Sequence, residues 1–141
     1  MLASLWTTAS STLAQSGSSG NDACPNICRF KAENSLVKRQ VDSERVRQKF
    51  PGRVPVIIGA RSDSRLPAVG STKYLVPDDL TVGQFVYIVR RRTRLPPEQA
   101  MFLFVRNVLP ACSITMADLD EEYKDEDGFL YINYSSENTF G

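Results

Sequence analysis

The sequence predicts an α+β fold: a four-stranded sheet packed on one helix, with additional N-terminal helices ahead of it. Three observations predict this. Four short apolar runs rich in β-branched and aromatic residues have strand length, and one well-capped segment with helical period falls after the second of them. Apolar residues at 42% and charged residues at 23% of 141 residues match an ordinary globular domain with material left over for a tail.

Taken in order, residues 1–29 contain no Lys or Arg before Arg29, and Ser16-Gly17-Ser18-Ser19-Gly20 has almost nothing to bury. A flexible N-terminal extension is expected there. Its start, Met1-Leu2-Ala3-Ser4-Leu5-Trp6, lacks the basic start and sustained apolar run of a secretory signal, although Leu2, Leu5 and Trp6 leave contact with a membrane or partner open. Cys24 and Cys28 have a spacing that allows chelation or pairing, but the co-ligands for a metal are missing and ordinary linker thiols are the simpler reading.

The domain is expected to span residues 30–141. Asp42 is placed to cap a helix running to Phe50, with Val46 and Phe50 one turn apart, and Pro51-Gly52 ends it. Residues 53–58 then read as a strand in which Pro55 marks an edge or an end, and residues 74–77 as a second. Thr81 and Gln84 have capping-box spacing, followed by Val82, Phe85, Val86 and Val89 at helical period. Arg90-Arg91-Arg92 closes that helix, where three cations complement the negative end of the macrodipole. Residues 101–105 and 129–134 supply the third and fourth strands, joined by an acidic, partly helical connection. Two strands, a long helix, then two more strands describe a β-grasp sheet.

Composition excludes whole classes of function. The chain has no histidine, which removes Ser-His-Asp and Cys-His catalysis and every Cys/His zinc finger; no catalytic residue, metal site or cofactor is assigned. Three cysteines without a signal peptide fit a reducing, cytoplasmic setting. A net charge of +1 is too balanced for counterion-driven binding of nucleic acid. The balance hides a polarity: residues 30–53 carry seven basic against three acidic residues, and residues 117–137 carry eight acids and one Lys. Such faces either orient partners or keep the domain soluble.

The chain resembles the autophagy ubiquitin-like modifiers, the family that includes GABA-receptor-associated protein and the microtubule-associated light chain. The likeness rests on Phe50-Pro51-x-Arg53-Val54-Pro55-Val56-Ile57, on Lys73-Tyr74-Leu75-Val76-Pro77-x-Asp79-Leu80-Thr81-Val82-Gly83-Gln84-Phe85, on Asp127-Gly128-Phe129-Leu130-Tyr131 and on Glu137-Asn138-Thr139-Phe140-Gly141. Plant and fungal members share the last two segments most clearly. The resemblance implies a relay in which a cysteine protease exposes the terminal glycine, an activating and a conjugating enzyme carry it as thioesters, and phosphatidylethanolamine receives it. Gly141 would be the acyl donor; without a side chain, it leaves its carbonyl open to attack and threads narrow clefts. Because the sequence stops at Gly141, nothing is expected to remain for the protease to remove: the glycine is either encoded last or already exposed by trimming.

The resemblance also implies docking of aromatic-x-x-aliphatic peptides carried by receptors, by strand addition. An aromatic pocket would use Asp42, Val46, Pro55, Ile57, Lys73, Leu75 and Phe129. An aliphatic pocket would use Tyr74, Val76, Pro77, Leu80, Phe85 and Ile88, with Arg53 beside it. Read without the family, Val46, Ile57, Leu75, Phe85, Ile88 and Phe129 are equally plausible core residues. Ser71 and Thr72 depart from the family's lysines ahead of Lys-Tyr-Leu, so a weakened preference for acidic flanks on the peptide is expected. Cys112 stands at a position that usually holds a small hydroxyl residue and is assigned no redox role. The implied function is a lipid-conjugated modifier on autophagosomal membranes. The alternative is an unconjugated peptide-binding module in vesicle trafficking or cytoskeletal attachment.

Overall fold

A computed structural model describes residues 24–62, 64, 66 and 72–136. The elements are α1 (Pro25–Glu33), α2 (Leu36–Lys49), β1 (Arg53–Ala60), β2 (Lys73–Pro77), α3 (Val82–Thr93), β3 (Phe102–Phe104), α4 (Met116–Tyr123) and β4 (Leu130–Ser135). The strands form one mixed sheet in the order β2-β1-β4-β3, with β1 and β4 parallel at its centre and the outer strands antiparallel to them. This is the β-grasp arrangement, an α+β fold.

Strand alternation sorts the apolar residues onto two faces. Val54, Val56 and Ile58 of β1, Tyr74 and Val76 of β2, and Leu130, Ile132 and Tyr134 of β4 join Val82, Phe85 and Val89 of α3 and Met116 and Leu119 of α4 in the main core. α3 starts as its sequence requires: Thr81 Oγ1 accepts the Gln84 N–H at 3.2 Å, and the Thr81 N–H donates to Gln84 Oε1 at 2.9 Å. It ends on Arg94 in the left-handed region, with Arg90, Arg91 and Arg92 in the last turn. The second face, with Pro55, Ile57, Leu75 and Phe129, is covered by α1 and α2.

Several boundaries differ from those expected. The N-cap of α2 is Ser35, whose Oγ accepts the Lys38 N–H at 3.1 Å; Asp42 lies in mid-helix and pairs instead with Lys38 at 2.8 Å and Arg45 at 3.2 Å. The helix extends backward to this cap, and the extension is silent in the sequence because Leu36 and Val37 are exposed and give no amphipathic signal. Ordered structure also begins before Phe30. α1 opens at Pro25, and Cys24, its N-cap residue, is 4% exposed, so Cys24 and Cys28 are helix residues of this face and not linker thiols. Residues 1–23, with Leu2, Leu5 and Trp6, lie outside the described residues, as do Ser71 and residues 137–141. Pro55 stands in a central strand, yet the inference behind it holds. The Ile58 N–H bonds the Thr72 carbonyl at 2.9 Å, so alternate residues of β1 face β2, and Pro55 turns its missing donor toward the β4 side one residue before that pairing begins at Val56. β3 stops at Phe104 because Arg106 and Asn107, both at positive φ, turn the chain back so that Val105 and Val108 exchange hydrogen bonds.

Candidate peptide-docking site

β2 is the edge strand at this end of the sheet, and its register decides what it offers. With Thr72, Tyr74 and Val76 turned toward β1, the backbone groups of Lys73 and Leu75 point along the unpaired edge. Such an edge is a template for an added strand. The residues expected to form the two pockets fall on opposite sides of it.

On the α2 face lie Val46, Pro55, Ile57, Leu75 and Phe129, all buried, with half-buried Lys73 at the edge and partly exposed Asp42 above it. Burial pushes the Lys73 ammonium down to about 8; Asp42 opposes the shift and Lys38 adds to it. Its Nζ sits 5.4 Å from the centre of the Phe30 ring. On the α3 face, Tyr74, Val76 and Phe85 are buried and Leu80 and Ile88 partly buried against the main core. Tyr74 and Phe85 meet edge to face at 6.3 Å, and the Arg92 guanidinium lies 5.5 Å from the Tyr74 ring centre. Burial raises the Tyr74 hydroxyl pKa. Pro77 ends β2 opposite Arg53; by alternation both belong to the α2 face, so this pair marks the end of the sheet and does not join the Tyr74 and Phe85 group. Most of these side chains are fully buried in this structure, packed under α2 on one face and against α3 on the other.

The sequence reading missed the groups that hold the α2 face in place. The Asp127 carboxylate, with no side-chain exposure, accepts from Arg39 Nη1 at 2.7 Å, from the Phe129 N–H at 2.8 Å and from the Tyr131 hydroxyl. The Ser43 hydroxyl, also buried, donates to the Asp127 carbonyl. Burial first, and then the carboxylate, raise the Tyr131 pKa, keeping it a proton donor. Beside this network Phe30 of α1 packs edge-on against Phe129, with centroids 5.5 Å apart, and tilts onto Tyr131 at 6.2 Å. The Asp127-Gly128-Phe129 motif was visible in the sequence, but nothing there told that Asp127 is buried. Arg47 forms a second tie from α2, bidentate to Asp120 at 2.9 Å on each oxygen and donating to the Gly128 carbonyl.

Two concavities are lined by other residues. A cavity of about 320 Å³ under α1 is bordered by Cys24, Cys28, Lys31, Arg106 and Tyr131, and a groove of about 620 Å³ separates α2 from the loop after α4. Burial raises the Cys24 thiol pKa, which disfavours the reactive thiolate, and Cys112 is exposed on a loop. Among the described residues no cluster of three or more metal-ligating side chains occurs, and no helix is long and apolar enough to cross a membrane.

Residues 38–141 match the family model for the autophagy protein Atg8, ubiquitin like. The chain is 55% identical to autophagy-related protein 8d of Arabidopsis thaliana, over 82% of this chain and 96% of that one. It is 55% identical to autophagy-related protein 8 of Mycosarcoma maydis, over 79% and 95%. Among solved structures it is similar to Trypanosoma brucei ATG8, with a TM-score of 0.74 at 42% identity over 80% of this chain and 97% of that one. It is also similar to Plasmodium falciparum Atg8 in complex with a Plasmodium falciparum Atg3 peptide, with a TM-score of 0.71 at 38% identity over 77% and 95%.

Proposed function

Because the chain belongs to the Atg8 family of ubiquitin-like autophagy proteins, we propose that it is a covalent modifier, joined through the Gly141 carboxylate to phosphatidylethanolamine on autophagosomal membranes. There it recruits receptors bearing aromatic-x-x-aliphatic motifs. The observation that carries this reading is the open edge of β2 set between two apolar faces, in a chain whose family match runs through Gly141. In this role the protein is a substrate of enzymes and does no chemistry of its own. It passes from the cytoplasm to the membrane through a cysteine protease, an activating enzyme and a conjugating enzyme. That a related Atg8 is solved in complex with a peptide of Atg3 supports peptide docking of the conjugation machinery as well as of receptors.

Physically, an extended peptide adds a fifth strand beside β2 by bonding the edge amides and carbonyls of Lys73 and Leu75, and its aromatic and aliphatic side chains, three positions apart, reach to either side. Lys73 stands where an acidic group of the ligand would meet it. The test of conjugation is reconstitution with activating and conjugating enzymes, ATP and phosphatidylethanolamine liposomes, read as a gel shift. The wild-type chain forms the lipidated species and Gly141→Ala forms none while keeping its melting temperature. A variant lipidated as well as wild type would defeat the assignment of Gly141. Wild type that stays unconjugated beside a competent relative would favour the unconjugated module.

A further inference from the structure

The family match begins at Lys38, yet α1 reaches the α2 face of the sheet ahead of it. α1 has no fully buried residue of its own, and the 320 Å³ cavity lies along its Cys28 and Lys31 flank, so packing alone does not explain how firmly it is set. What sets it are its two ends. At the N-terminal end, Cys24 and Asn26 lie so close to Gly59 of β1 that a Cβ there would come within 2.8 Å of Cys24 Sγ and of Asn26 Cβ. Only a bare backbone at position 59 lets the helix sit down. At the C-terminal end the Asn34 side chain donates to the Phe30 carbonyl at 2.9 Å, Arg39 Nε donates to the Asn34 carbonyl at 3.0 Å, and Arg39 is bound in turn to Asp127. Lys31 adds an ion pair with Asp125 at 3.5 Å and lies 4.4 Å over the Tyr131 ring.

Held between these ties, Phe30 touches Phe129 and Tyr131 on the β4 side and lies under the Lys73 ammonium. We propose that Phe30 is the β4-side wall of the aromatic pocket and sets the size of ring the pocket accepts, with α1 as the bracket that positions it from Gly59. This rests on the docking reading above. Position favours a wall over a plug: Phe30 meets the residues of β4, whereas Val46, Asp42 and Leu75, on the α2 and β2 side, bound the opposite edge. Removing the ring widens the pocket on one side only. A small ring then loses its edge-to-face partner, while a larger bicyclic ring fills part of the space left.

Calorimetry on the full chain with two otherwise identical peptides, one carrying Phe and one Trp at the aromatic position, tests this. Phe30→Ala weakens the Phe peptide about three- to tenfold, the value of one aromatic pair, and the Trp peptide far less. The affinity ratio therefore shifts toward Trp. Gly59→Val, which touches no part of the pocket, shifts the ratio the same way by unseating α1, and thermal melts with amide exchange of β1 and β4 show that the sheet is retained. An unchanged ratio in both variants, with binding otherwise intact, overturns the proposal and leaves the docking reading standing. Tighter binding of both peptides by Phe30→Ala also overturns it, since Phe30 would then be a plug. Wild type that binds neither peptide defeats the docking reading and this one together.

Discussion

Replacing Asp127 by Ala removes the carboxylate that pairs with Arg39 at 2.7 Å at the back of the docking face. The Asp127 side chain has no exposure and that of Arg39 only 12%, so the pair is largely shielded from water. Breaking a buried pair from one side costs about 3–5 kcal/mol, because the remaining charge stays desolvated. The Phe129 N–H and the Tyr131 hydroxyl lose their acceptor as well, and each orphaned donor costs about 1–3 kcal/mol where no water can replace the partner. These costs overlap, since one relaxation relieves all three, and a net loss of about 4 kcal/mol is expected against a total stability of roughly 5–15 kcal/mol. For a domain of this size that lowers Tm by about 12–16 °C. Urea unfolding followed by circular dichroism measures it, together with Arg39→Ala and the double variant. Each single variant should be strongly destabilised and the double variant should lose clearly less than their sum. A loss below about 1 kcal/mol for Asp127→Ala with an unchanged m-value would refute the reasoning.

Two further outcomes follow from the same face. Lys73 has a folded pKa of about 8 against about 10.4 for a free lysine, so the unfolded chain binds more protons between these values and this group makes the fold more stable as pH rises from about 8 to about 10.4. Titrating ¹³C-methylated lysines by NMR should give one resonance with a midpoint near 8, lost in Lys73→Arg; a midpoint near that of the other lysines contradicts the burial. Gly128 has φ +94°, and a Cβ there would fall 2.1 Å from Ser43 Oγ, on the hydroxyl that bonds the Asp127 carbonyl. Gly128→Ala should cost about 2–4 kcal/mol, read by the same urea titration, from backbone strain and the displaced side chain together.

The sequence carried the sheet and α3 almost whole, because both write their geometry into local patterns. The capping box of Thr81 and Gln84 is satisfied within four residues, and the apolar stripe of α3 and the β-branched run of β1 show their periods in the local sequence although their partners are distant. The N-terminal third was less legible for the opposite reason. The signal for α1 is a contact with Gly59, more than thirty positions on, and Ser35 is a weak cap signal because Asp42 stands nearer the first visible apolar pair. The pocket residues came from resemblance, since a buried Ile57 or Leu75 reads as core whether or not its edge faces a ligand. Asp127 was hidden because a carboxylate among other acids looks solvated until Arg39 and Tyr131 are seen around it. The split of the predicted lining residues over the two faces of β2 follows from strand register alone, which turns odd and even positions of one short strand to opposite faces of the sheet.

The edge of β2 gives the most direct test of the docking account. Amide hydrogen exchange of the full chain, with and without an aromatic-x-x-aliphatic peptide, distinguishes the two sets of amides on that strand. The account predicts that Lys73 and Leu75 N–H groups, which point away from β1, exchange quickly in the free protein and become protected on binding. Tyr74 and Val76, already bonded to β1, should change little. Peptide binding that leaves Lys73 and Leu75 as unprotected as before would contradict strand addition at this edge.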